Sequence, residues 1–113
     1  MKNRHLHILW TNADVTTANL MVMMYAKNSL RKGWWDAVTV IIWGKTAQFA
    51  AENEEIQGEI AQCRELGVTF SGCITCAKEL DVVEKLEALN IELIPWGPPL
   101  TALIEEKQPL LTI

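Results

Sequence analysis

The chain reads as an α/β protein, a three-layer α/β/α sandwich around a mainly parallel sheet of about five strands, and three observations lead there. Short apolar or β-branched runs recur along it, stretches of helical spacing separate them, and glycine, asparagine or proline stands at most changeovers. Such alternation makes the helices crossovers between parallel strands and places them on the faces of the sheet. The 113 residues suffice for one hydrophobic core, so a single domain spanning 1–113 is expected.

The elements follow in order. His5 to Asn12 (HLHILWTN) forms a first strand that ends in the polar pair Thr11-Asn12. A helix then runs from about Asp14 to Arg31, with Asn12 or Asp14 as cap and Gly33 as stop. Asp36 to Trp43 (DAVTVIIW) is apolar enough to be a strand buried on both faces. Lys45 to Asn53 forms a short helix and Glu54 to Leu66 a longer one closing at Gly67. The stretch from Lys45 to Gly58, rich in Ala, Glu and Gln directly after a strand end, is positioned to act as a lid. Gly67 to Ser71 (GVTFS) begins a third strand that carries Cys73 at its end, and a helix continues to Asn90. Ile91 to Trp96 (IELIPW) is the fourth strand. Pro98-Pro99 opens a last helix to about Lys107, since proline suits a first turn, and Leu110 to Ile113 closes the sheet.

Composition removes several classes of function. Half the residues are apolar and 21% are charged, as in ordinary globular proteins. Ten basic against fourteen acidic residues give a net charge of −4, and the basic residues cluster no further than Lys2/Arg4 and Arg31/Lys32. Nucleic acid is therefore not an expected ligand. No run approaches the roughly 20 apolar residues of a membrane span, and the N-terminus lacks the apolar core of a signal peptide. A cytoplasmic location is expected. An odd number of cysteines, three, argues against a structural disulfide framework and for catalytic or redox use.

The most informative segment is Ser71-Gly72-Cys73-Ile74-Thr75-Cys76-Ala77, two thiols three residues apart where a strand gives way to a helix. Unpaired N–H groups and the positive end of the helix dipole favour thiolate there, and the thiolate is the nucleophile. Thr75 is a candidate cap for that helix. Right-handed crossovers bring every strand-to-helix loop to one carboxyl edge. Trp10, Thr11 and Asn12, then Trp43, Gly44 and Lys45, then Gly72 and Cys73, and finally Trp96 and Gly97 thus gather at that edge. Three tryptophans and two Trp-Gly pairs predict an apolar pocket around Cys73, with glycines admitting a ligand close to backbone. Lys45 is placed to lower a thiol pKa or hold an anion, Asn12 and Thr11 to hydrogen-bond a bound group, and Thr75 to line the pocket beside the cysteines.

On these residues the chain resembles the DsrE/DsrF-like proteins, among them sulfur-relay subunits. The resemblance spans nearly the whole chain and rests on the polar-ended first strand, the second strand ending at Gly44 and above all Gly67 to Ala77. The Ile91–Gly97 segment and terminal Leu110–Ile113 complete it. It implies sulfane sulfur accepted as a persulfide on Cys73, with Cys76 matching a second cysteine found in some members. It also implies sulfur donor and acceptor proteins as partners, and homo-oligomers, trimers or hexamers. Where the family often continues into a basic, glycine-containing turn, this chain has Lys78-Glu79-Leu80-Asp81-Val82. The expected mechanism is attack of the Cys73 thiolate on sulfane sulfur, with Cys76 as resolving or auxiliary thiol, in a carrier or a sulfurtransferase. Two other readings stand beside it: a non-catalytic small-ligand or protein-binding module with structural cysteines, and a dithiol redox sensor.

No cofactor is expected. Zinc needs about four ligands, the only other thiol is Cys63, and His5 and His7 lie at the far end of the first strand. Ile56, Ile60, Cys63 and Leu66 fall at helical spacing and read as one buried stripe. Leu20 to Tyr25 (LMVMMY) is apolar around most of its circumference, which fits a deep core helix or a subunit interface, and Trp34-Trp35 adds to the same surface.

Overall fold

The β-branched run Ala37-Val38-Thr39-Val40-Ile41-Ile42 builds the middle of the sheet. Such side chains suit a pleated surface covered on both sides, and all but Ala37 are buried. The computed structural model describes residues 3–113, so that Lys2 of the basic pair lies outside the described residues, while Arg4 pairs with Asp36 at 3.6 Å. Five parallel strands form one sheet, β1 (His5–Trp10), β2 (Ala37–Ile42), β3 (Thr69–Cys73), β4 (Glu92–Ile94) and β5 (Leu110–Thr112), in the order β4-β3-β2-β1-β5. This is the expected α/β sandwich, with every strand pair parallel.

The expected first helix is three segments in succession: α1 (Val15–Thr17), a π-helical stretch (Ala18–Met23) and α2 (Met24–Arg31). Asp14 rather than Asn12 caps it, accepting from the Thr17 N–H at 2.9 Å. In the π stretch the Met24 N–H reaches back to the Asn19 carbonyl. α3 (Lys45–Glu52) and α4 (Glu54–Glu65) follow β2. α3 does not act as a lid: Thr46, Ala47, Ala50 and Ala51 recur at helical spacing and are buried in the core. In α4, Ile56, Ile60 and Cys63 form the expected stripe, but Leu66, past its last turn, is 37% exposed.

The helix expected after the cysteines is two, α5 (Ile74–Glu79) and α6 (Val83–Ala88), broken where Asp81 takes φ 56°. α7 (Gly97–Glu105) begins with its prolines in the first turn, as their fixed φ favours.

Alternation along the strands separates two faces. Leu6, Ile8, Trp10, Val38, Val40, Ile42 and Phe70 share one, and they pack with the π-helical stretch and α2 through α6 into a single core. His5, His7, Leu9, Thr39, Ile41, Ser71, Cys73 and Ile94 share the other. Moving β1→β2→β3→β4 in one direction keeps right-handed crossovers on one face, and the return from β4 to β5 sends α7 to the other. That third layer is thin, since α7 buries none of its residues fully.

Candidate functional site

Cys73 ends β3 and Cys76 stands in the first turn of α5, as the change from strand to helix at Gly72-Cys73-Ile74 dictates. Cys73 occupies the N-cap position without making a side-chain cap. Thr75 is no cap either, because the helix starts one residue before it and leaves it exposed. The two thiols differ in access: Cys73 is 4% exposed, on the face opposite the main core, whereas Cys76 is partly exposed and rests against that core.

The neighbouring loop points at Cys76. The Gly44 N–H donates to Cys76 Sγ at 3.2 Å, and Gly44 reaches that orientation at φ 71°, ψ −134°, a region open essentially to glycine. Thr46 holds the loop in place. Its fully buried hydroxyl donates to the Trp10 carbonyl at 2.7 Å and accepts from the Trp43 N–H at 3.1 Å, tying the ends of β1 and β2 together. Burial is the main influence on the Cys76 thiol and pushes its pKa up; the Gly44 N–H opposes this, and the nearby Cys73 thiol adds to the rise.

The other expected site residues are distributed around the carboxyl edge rather than gathered on the thiols. Trp10 is fully buried in the main core, edge-on to Phe49 with centroids 6.1 Å apart, and its indole donates to the Asn12 carbonyl. Trp96 lies on the opposite face, donating to Ser71 Oγ at 2.8 Å, with its ring 6.2 Å from that of His7. The two tryptophans thus sit on opposite sides of the sheet, and Trp43 between them is half-buried. Asn12 accepts from the Asp14 N–H, and its own N–H, like that of Thr11, is bonded to the Ile113 carbonyl.

Lys45 is exposed, bonds Gln48 and lines a cavity of about 300 Å³ with Ala13, Phe49, Glu52 and Asn53. Gly72 serves packing, since a Cβ there would meet Leu93 Cδ2 at 2.9 Å. Gly97 is exposed at the start of α7. None of the described cavities is lined by either thiol of the pair.

Two parts of the site were missed in the sequence. Thr46 had a signal in its place one residue after Gly44-Lys45, at a helix start where a hydroxyl closes a turn. His7 stands on β1 away from the thiols, yet Trp96 reaches back along the sheet to it. His7 stacks on His5 at 4.2 Å, its Nδ1 has no partner, and burial, then the neighbouring His5, lowers its pKa to about 4. Among the described residues no three His, Cys, Asp or Glu side chains converge as metal ligands would.

Comparison with solved structures places this geometry. A conserved protein of unknown function from Bacteroides thetaiotaomicron, BT1422, is 32% identical, with 98% of this chain and 96% of that one covered at a TM-score of 0.94. The chain belongs to the family of BT1422. MTH1491 from Methanobacterium thermoautotrophicum, also described as of unknown function, has the same fold at 13% identity and a TM-score of 0.72, over 99% of this chain and all of that one. No family model and no curated protein matches the chain.

Proposed function

We propose that this protein handles sulfane sulfur on the Cys73–Cys76 pair. The observation that carries the reading is the Gly44 N–H aimed at Cys76 Sγ from a glycine-only conformation, beside a second thiol at the head of a helix. A donor aimed at sulfur steadies negative charge on it, which a nucleophilic or leaving thiolate requires and a packing cysteine does not. A thiolate of the pair attacks the terminal sulfur of a persulfide or polysulfide, the donor's thiolate leaves, and the acquired sulfur remains as a protein persulfide until an acceptor thiolate takes it. The resemblance to DsrE/DsrF-like proteins supports the same chemistry, in a carrier or a sulfurtransferase.

Self-association belongs to this reading. Leu20 is 61% exposed, Met24 and Trp34 44% each and Met21 37%, an apolar surface that a trimer or hexamer would cover. Three free cysteines suit a reducing, cytoplasmic setting.

Cold cyanolysis tests the central point: native protein treated with polysulfide and desalted should release about one thiocyanate per chain, and the Cys73→Ser, Cys76→Ser double variant none. Equal release from both would remove the proposal. The burial of Cys73 favours a second reading, a binding module with packing cysteines, under which neither thiol takes up sulfur and Cys73 labels only after unfolding.

A further inference from the structure

Access to the two thiols runs opposite to their order in the chain. Cys73 is buried at the end of β3, with Ile94 as its register neighbour and Trp96 seated over Ser71, two residues earlier on the same face. Cys76, one turn into α5, is the one cysteine of the three that is not buried. It is also the one that receives the Gly44 N–H. A donor approaching from solvent therefore meets Cys76 first, and meets it where a hydrogen-bond donor already faces the sulfur. Although their side chains leave the sheet on different faces, Cys73 at the N-cap and Cys76 at the third position of α5 share one turn, and the Cys73 side chain is near enough to act on the Cys76 thiol, so sulfur can pass between them.

We infer that Cys76 takes the sulfur from the donor and Cys73 stores it, a two-thiol relay from the surface inward; this rests on the sulfur-handling reading above. The donor class is any small molecule ending in sulfane sulfur. In the first step the Cys76 thiolate attacks the terminal sulfur of R–S–SH. The donor's S–S bond breaks, a new S–S bond forms on Cys76, and the leaving R–S⁻ takes a proton from water. In the second, the Cys73 thiolate, its proton given to water, attacks the outer sulfur of the Cys76 persulfide. That S–S bond breaks, one forms on Cys73, and Cys76 leaves as the thiolate.

Each step exchanges one S–S bond for another with no net oxidation or reduction, so neither an oxidant nor a reductant is consumed. The Gly44 N–H serves both, steadying the Cys76 sulfur as nucleophile and then as leaving group. Thr46, by anchoring the loop, acts as a positioning residue. Once on Cys73 the sulfur is screened from water and from stray thiols.

The test is time-resolved loading with glutathione persulfide, quenched by alkylation and read by peptide mass spectrometry. It uses the full-length native protein and its Cys76→Ser, Cys76→Ala and Cys73→Ser variants. In the native protein sulfur should arrive on Cys76 and then accumulate on Cys73; in Cys73→Ser it should stop on Cys76. In both Cys76 variants, loading of Cys73 should slow by about tenfold or more, because a buried thiol then waits for local opening. Misfolding cannot imitate that result, since an unfolded chain exposes Cys73 and would load faster. Loading of Cys73 at the native rate in the nearly isosteric Cys76→Ser protein overturns the relay while leaving sulfur handling intact. Sulfur that never leaves Cys76 in the native protein overturns it as well. Absence of sulfur from every protein overturns the relay and the reading beneath it together.

Discussion

Replacing Gly44 by alanine, with Gly58→Ala as its counterpart, isolates the backbone conformation that aims an N–H at Cys76. A Cβ at either position would meet nothing within 4 Å, so neither change adds a clash and each reports only what the backbone requires. Gly44 stands at φ 71°, ψ −134°, where an L side chain is strained by about 1–3 kcal/mol. Gly58 lies exposed in the interior of α4, where alanine is favoured over glycine by about 0.5–1 kcal/mol. In a domain of this size 1 kcal/mol moves the melting temperature by roughly 4 °C. Gly44→Ala should therefore melt about 4–12 °C lower and Gly58→Ala about 2–4 °C higher, followed by circular dichroism with urea midpoints as a check. Wherever the strained loop relaxes, the N–H swings off Cys76 Sγ, and the labelling rate of Cys76 should then rise at a higher pH than in the native protein. Two alanine variants equally stabilised would refute the reasoning, because both glycines would then act only through the entropy of the unfolded chain.

Further outcomes follow from the same contacts. Thr46→Val removes the hydroxyl that joins the Trp10 carbonyl to the Trp43 N–H and should cost about 1–3 kcal/mol in urea unfolding, because buried backbone groups lose their partner. It should also slow labelling of Cys76, whereas an unchanged rate would mean that the loop holds without Thr46. Cys63 is fully buried and burial pushes its thiol up to about 11, so in native protein it should resist alkylation at a pH where Cys76 reacts, and label fully in denaturant.

His7 gives stability a pH dependence of defined sign. Its pKa is lowered from 6.5 to about 4 by burial first and His5 second, so the unfolded chain binds this proton more readily. The stability it contributes is complete above pH 6.5 and is lost as pH falls from there towards 4. His7→Gln should flatten that part of the urea-midpoint profile, and an unaltered slope would assign it elsewhere.

The parts of the fold that were legible in the sequence are those set by local chemistry. The run from Val38 to Ile42 could only be a strand covered on both faces, and Gly33 and Gly67, at φ 69° and 104°, mark the turns expected of them. The thiol pair at the head of a helix was equally plain, because Gly67 to Ser71 reads as a strand and the residues from Ala77 onward follow with helical spacing.

What escaped depends on contacts across the chain. Asp81 in the left-handed region divides a continuous helical pattern, and no residue type forced that break. The supposed lid failed on spacing that was present in Thr46, Ala47, Ala50 and Ala51 but masked by its alanine-rich composition. The tryptophans were gathered by strand end alone, whereas side-chain alternation sends Trp10 into the main core and Cys73 to the opposite face, where Trp96 also lies. That alternation could have been followed from Phe70, a core residue three positions before Cys73, and it would have placed Cys73 on the face opposite the main core.

The most direct test of sulfur handling is intact and peptide mass spectrometry of the reduced native protein after exposure to inorganic polysulfide, with thiols trapped at neutral pH. The account predicts one added sulfur per chain, confined to the peptide carrying Cys73 and Cys76 and absent from Cys63. A pair that stays free of added sulfur, with Cys73 reacting with the trapping reagent only after unfolding, would contradict it and identify Cys73 as a packing residue.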